Sequence, residues 1–159
     1  MTDAATVAFM QQAAEEARRG IAKVDGGPFG ALLVRRGIVV SRAHNEVLVS
    51  KDPTAHAEIL AIRRAAGILQ RFHLDDCILY TTCEPCPMCL SAVAWARIPR
   101  LYFGCTRDDA AEIGFSDRMI YDWIRDEPGV SPAERISLER ETCLRLFRDW
   151  RNSGTFQLY

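Results

Sequence analysis

The sequence predicts an α/β layer fold with a mixed sheet, and three observations predict it. Short apolar runs rich in β-branched residues recur at 31–34, 38–40, 77–80 and 101–103. The later runs alternate with stretches of helical periodicity, as in layered α/β proteins. The first two runs are separated only by Arg35-Arg36-Gly37, which reads as an antiparallel hairpin and makes the sheet mixed. With 159 residues and 48% apolar content, the chain is long enough for one domain, 1–159, with a sizeable core.

The elements follow in order. Val7, Met10, Ala14, Ala17 and Ile21 fall at helical spacing, so residues 4–20 read as a helix that Gly20 stops. Gly26-Gly27-Pro28-Phe29-Gly30 is either a plain turn into a strand or a place where backbone and one aromatic ring approach a ligand closely. The second hairpin strand runs towards His44-Asn45-Glu46, where Asn45 is a turn former or a ligand contact. Asp52 can cap the next helix, with Pro53 in its first turn. Ile59, Ile62 and Ala66 continue its buried face, and Gly67 ends it. Cys77-Ile78-Leu79-Tyr80 is a buried strand, and a helix runs from near Pro85 to Arg97. Leu101-Tyr102-Phe103 is a strand ended by Gly104. Residues 105–127 are less regular, with a short helix at 119–124. A loop with Pro128-Gly129 and Ser131-Pro132 leads to a last helix at 139–151 and a tail ending at Tyr159.

Basic residues number 20 and acidic residues 21, which weighs against a nucleic-acid backbone as partner. Arg135, Arg140, Arg145, Arg148 and Arg151 are interleaved with Glu134, Glu139, Glu141 and Asp149, the pattern of a solvated helix face. No apolar run approaches the length of a membrane span, and the N-terminus lacks the order of a signal peptide. A soluble, cytoplasmic protein is therefore expected. Three of the six cysteines lie within seven residues, which favours metal binding over disulfides. Cys77 and Cys143 sit in apolar surroundings and read as small core residues.

Chemistry concentrates in two segments. Pro85-Cys86-Pro87-Met88-Cys89 sets two thiols three positions apart, so one helical turn brings both sulfurs to the same side. Upstream, Asp52-Pro53-Thr54-Ala55-His56-Ala57-Glu58 adds an imidazole and a carboxylate. His56, Cys86 and Cys89 make three ligands for a zinc ion that takes four. A missing protein ligand leaves room for water, whose pKa the metal lowers from about 16 to about 7. The competing arrangement is a closed structural site with Cys83 as fourth ligand, which the spacing permits. Glu58 favours the open site, because a carboxylate two residues from a zinc histidine is suited to moving protons beside a bound water.

Read together, the two segments give His-x-Glu…Pro-Cys-x-x-Cys, the known signature of the zinc-dependent nucleobase deaminases. The chain resembles the cytidine deaminase-like superfamily and, within it, the bacterial guanine deaminases. The residues that carry the resemblance are Gly27-Pro28-Phe29-Gly30-Ala31, Asn45, the 52–58 segment and Leu74 to Leu90. Downstream, Asp109-Ala110-Ala111-Glu112-Ile113-Gly114-Phe115-Ser116-Asp117 with Ile120-Tyr121 is similar as well.

The resemblance implies a three-layer α/β/α fold around a central five-stranded mixed sheet. It implies one zinc per subunit on His56, Cys86 and Cys89, with Glu58 as proton shuttle and Asp117 assisting proton transfer to the leaving ammonia. Asn45, Phe29, Ala57 and the terminal Tyr159 would meet the substrate. A homodimer is implied, in which the C-terminal helix and tail, about 138–159, swap between subunits. Ser116 stands where the family pattern has an acidic residue, and residues 128–155 diverge from it. The implied reaction is hydrolytic deamination of guanine to xanthine and ammonia. Guanosine, ammeline, cytosine and tRNA adenosine present the same amidine-like carbon, and a non-catalytic zinc module is the remaining alternative.

Overall fold

The computed structural model describes residues 4–154 and 158. In chain order run α1 (Ala4–Lys23), β1 (Gly30–Arg35), β2 (Ile38–His44), α2 (Val47–Ser50), α3 (Ala57–Leu69), β3 (Cys77–Cys83), α4 (Pro87–Trp95), β4 (Arg100–Cys105), α5 (Arg107–Glu112), α6 (Arg118–Ile124) and α7 (Arg140–Asn152). They form two compact units, Met1–Tyr121 and Asp122–Tyr159.

The first unit holds a mixed sheet in the order β2-β1-β3-β4. β1 pairs antiparallel with both β2 and β3, while β3 and β4 are parallel and joined through α4. Alternation along the strands divides the core into two faces. Leu32, Val34 and Tyr80 pack with Ala13, Phe9 and Met10 of α1. Ala31, Leu33, Cys77 and Leu79 pack with Ala57, Ala61 and Ala65 of α3 and Val93 of α4. The alanine stripe lets α3 lie close to the sheet, and Ser41 Oγ donates to Ala61 O at 2.7 Å. Pairing of Leu33 with Ser41 and of Val34 with Val39 leaves Val40 as the extra residue of a β-bulge.

Among the described residues the sheet has four strands, not the five expected. After β4 a capping box closes on Thr106: its side chain accepts from Asp109 N, and Asp109 Oδ2 accepts from Thr106 N. The chain thus enters α5 and then α6, and α7 is the last element among the described residues.

Several boundaries differ from those expected. α1 continues through Gly20 to Lys23, and α3 through Gly67 to Leu69, where Gln70 adopts the left-handed cap. α3 begins at Ala57, not at Pro53. The carboxylate of Asp52 is already engaged by Thr54 N (2.8 Å) and Thr54 Oγ1 (2.7 Å), a local turn that delays the helix. α4 begins at Pro87, with Cys86 as its cap. The short helix α5 lies in the stretch expected to be less regular, and α2 in a stretch to which no element was assigned.

Within the second unit α7 is polar on most of its surface, and none of its residues is buried. Arg140 and Arg148 pair with Glu141, in line with a solvated face. Cys77 is a core residue as expected, whereas Cys143 is exposed, because α7 buries no face within the described chain. Among the described residues no helix is long and apolar enough to cross a membrane.

Candidate active site

His56 and Cys86 occupy equivalent places, each the N-cap of a helix. Both have extended backbone (φ −70°, ψ 152° and φ −64°, ψ 168°), and neither makes a side-chain cap hydrogen bond. Their side chains are therefore free to meet each other. His56 Nδ1 lies 3.6 Å from Cys86 Sγ and 3.5 Å from Cys89 Sγ. The three donor atoms all fall within 4.8 Å of one another. A tetrahedral zinc with usual Zn–S and Zn–N distances has ligand–ligand edges of about 3.6 Å. The separations and the S₂N donor set fit that ion.

Cys83 stands apart from this cluster. Its thiol donates to Thr106 O at 3.5 Å, and burial pushes it up to about 11. Cys86 is held down at about 4, first by the Cys89 thiol beside it and then by His56. Its position at the start of α4 works in the same direction. Cys89 is shifted upward by Cys86 and by burial. The hydrogen bond with Cys86 raises His56.

Glu58 lies in the first turn of α3 and is 5% exposed. Its Oε2 is 3.5 Å from Cys89 Sγ, and its Oε1 accepts from Thr81 Oγ1 at 3.1 Å. Burial raises its pKa, against the opposing hydrogen bonds from its own backbone amide and from Thr81. A buried carboxyl raised in this way can both take and return a proton.

These groups face a cavity of about 200 Å³, the size range of a small planar ring. Phe29, Asn45, Glu58 and Asp117 all line it, together with His56 and Cys86. Phe29 meets Phe115 edge to face, with centroids 5.1 Å apart and planes at 86°. Burial shifts Asp117 upward, opposed by the positive charge of Arg107. Ala57 is wholly buried in the α3-side core, and its side chain does not line the cavity. Tyr159 lies outside the described residues.

Three contributors, Thr81, Phe115 and Arg107, were given no role from sequence. Thr81 orients Glu58, and Phe115 buttresses Phe29. Arg107 pairs with Glu84 at 3.6 Å and stacks 4.3 Å over the Tyr121 ring. A polar residue on the α3-facing positions 77, 79, 81 of β3 was the available signal for Thr81.

Residues 4–105 match the family model described as the cytidine and deoxycytidylate deaminase zinc-binding region. Guanine deaminase from Bacillus subtilis (strain 168) is 45% identical over 154 residues, spanning 95% of this chain and 97% of that protein. The X-ray structure of guanine deaminase from Bacillus subtilis superposes with a TM-score of 0.88 and 43% identity, covering 96% of this chain and 98% of that one. A tRNA-specific adenosine deaminase from Aquifex aeolicus is 45% identical over 95 residues, 60% of this chain and 62% of that protein. The match reaches through both zinc-ligand segments, so the chain belongs to the cytidine and deoxycytidylate deaminase family.

Proposed function

We propose that the chain is an aminohydrolase that converts guanine and water to xanthine and ammonia. The observation that carries the reading is the buried Glu58 carboxylate at the wall of a base-sized cavity, 3.5 Å from a sulfur of the His56–Cys86–Cys89 cluster. The near full-length similarity to a guanine deaminase selects guanine among amino-substituted rings.

His56, Cys86 and Cys89 would hold one zinc per subunit, which would supply a water acidified to near-neutral pKa. Glu58 accepts a proton from the attacking water and returns it to the ring nitrogen beside C2. Thr81 keeps one carboxylate oxygen fixed, so the other faces the reaction. Asp117, at the cavity wall, relays the second proton of the added water from the hydroxyl on C2 to the leaving amine. The water oxygen replaces the amine on C2, and ammonia leaves. Asn45 hydrogen-bonds the base and Phe29 packs on it, with Tyr159 as a further contact, while Ala57 supports this wall from the core.

The reading extends to a single deaminase domain over 1–159 in a cytoplasmic homodimer, with residues 138–159 exchanged between subunits. The similarity to a tRNA-specific adenosine deaminase covers a smaller share of both chains, so tRNA adenosine is the second substrate to test.

Ammonia release from guanine, guanosine, ammeline, cytosine, adenine and a tRNA anticodon stem tests the proposal, with and without chelator. Chelator-sensitive release from guanine is expected. Zinc retained with no turnover of any base would overturn the enzymatic reading, and release from tRNA alone would overturn the choice of guanine.

A further inference from the structure

We infer that Asp25 and His44 form a positioning pair that holds the Asn45 carboxamide with its amino group towards the cavity. The inference rests on the reading of Asn45 as a base-binding residue. His44 ends β2 and is buried, and its Nε2 lies 2.9 Å from Asp25 Oδ2. The imidazole is pressed against α1 at Gly20, where a Cβ would come within 2.7 Å of His44 Cδ2. Glycine at that position is what lets the ring reach Asp25.

Asn45 follows directly. Its Oδ1 accepts two backbone N–H groups, those of Gly27 and Val47, each at 3.2 Å. A carboxamide oxygen with both lone pairs engaged leaves Nδ2 as the group for a ligand. Both of those N–H donors trace back to Asp25. Gly27 is two residues further along the chain. Val47 opens α2, and the Asp25 carbonyl accepts the next two N–H groups of that helix, Leu48 and Val49, both at 3.0 Å. Asp25 N in turn donates to Gly20 O at 3.0 Å. The result is a closed circuit: the Asp25 side chain holds His44, His44 precedes Asn45, and Asn45 Oδ1 is gripped by the two segments that Asp25 organises.

The surrounding charges single out this pair. His44 also faces Glu16 Oε2 at 3.9 Å from α1 and Glu46 Oε1 at 4.0 Å from the loop before α2. Glu16 is shared with Arg19 (2.9 Å) and Arg42 (3.7 Å), and Glu46 with Arg64 (2.6 Å). Among the described residues the side-chain partner of Asp25 is His44. Glu16 and Glu46 keep arginine partners if the imidazole is lost, whereas Asp25 does not. An amino group fixed in this way selects rings that offer a hydrogen-bond acceptor at that edge, such as a ring carbonyl or an unprotonated ring nitrogen. Neither Asp25 nor His44 lines the cavity, so they act on affinity through Asn45.

The test uses the full-length, zinc-loaded protein with guanine as probe. Asp25→Ala and His44→Phe are each expected to raise KM about tenfold, the scale of one well-placed hydrogen bond, with kcat within about twofold and zinc content unchanged. Asp25→Asn and His44→Gln, which keep a hydrogen bond across the pair, are expected to recover most of the lost affinity. In an Asn45→Ala background, Asp25→Ala is expected to add nothing further. Hydrogen exchange gives a readout independent of turnover: the amides of Gly27 and Val47 exchange faster in Asp25→Ala than in the parent. Unchanged exchange at those two amides overturns the pair whatever the kinetics, as does an additive effect on top of Asn45→Ala. Should His44→Phe fail to fold, the Asp25 variants decide alone. If the parent protein does not turn over guanine, the choice of base falls, and the exchange experiment still decides the pair.

Discussion

Thr81 and Glu58 lie 23 positions apart in sequence and share a buried hydrogen bond, with Thr81 Oγ1 donating to Glu58 Oε1 at 3.1 Å. One oxygen of the carboxylate is thereby fixed, and the other is left to face Cys89. Thr81→Val keeps the volume and removes the donor. It is expected to lower kcat about tenfold, the value of one orienting hydrogen bond. Thr81→Ser restores the donor and should recover most of the loss in steady-state assays.

Glu58→Gln preserves shape and removes the proton carrier. Zinc content by metal analysis should match the parent protein, while turnover falls by about 10²–10⁴-fold, the range of general acid–base catalysis. Full activity in this variant would remove Glu58 from the mechanism.

The ligand set can be read by metal analysis of single variants. His56→Ala, Cys86→Ala and Cys89→Ala should lose zinc. Cys83→Ala should keep it, since the Cys83 thiol bonds to Thr106 O and is held protonated at neutral pH. Zinc loss in Cys83→Ala would restore the closed four-ligand site.

Acid stability should register a clamp remote from the cavity. Asp76 just before β3 is gripped by Arg35 of β1, at 2.7 Å, and by Arg71 beyond α3. Arg35 first, and Arg71 with it, hold its carboxyl down at about 2, against an ordinary 3.8. A carboxylate whose pKa is lower in the folded protein stabilises it fully above the unfolded value. That contribution is lost as pH falls through the folded value. Urea denaturation should therefore show a constant stability gap between the parent and Asp76→Asn from pH 7 to about 4.5. The gap should narrow between about 4 and about 2. A gap independent of pH would exclude the ionised pair as its source.

The sequence made the zinc ligands and Glu58 legible because their relations are local. Glu58 lies two positions after His56, and Cys89 three positions after Cys86, so a helix start fixes both pairs without reference to the rest of the fold. Thr81 and the Phe29–Phe115 contact were not legible in the same way. Each depends on which strand lies beside which helix, and no spacing rule carries that. The helix start expected at Asp52 failed for a different reason. Asp52 has the side chain of a cap but uses it on Thr54, and the chain turns there before the extended His56 caps the helix. The fifth strand was expected from resemblance alone, since the apolar runs noted in the sequence number four, as do the strands among the described residues.

Helix N-caps are normally filled by Ser, Thr, Asp or Asn, whose side chains satisfy the first amides. α3 and α4 have His56 and Cys86 there instead, with no such bond. Both helices therefore present their opening amides, and the positive ends of their dipoles, to the place where the thiolates gather. A cation seated among those sulfurs ties together two helix beginnings that no side chain of their own secures. Stripping the metal would then unfasten two first turns together, and fraying at Ala57–Glu58 and Pro87–Met88 is where the apoprotein would first come loose.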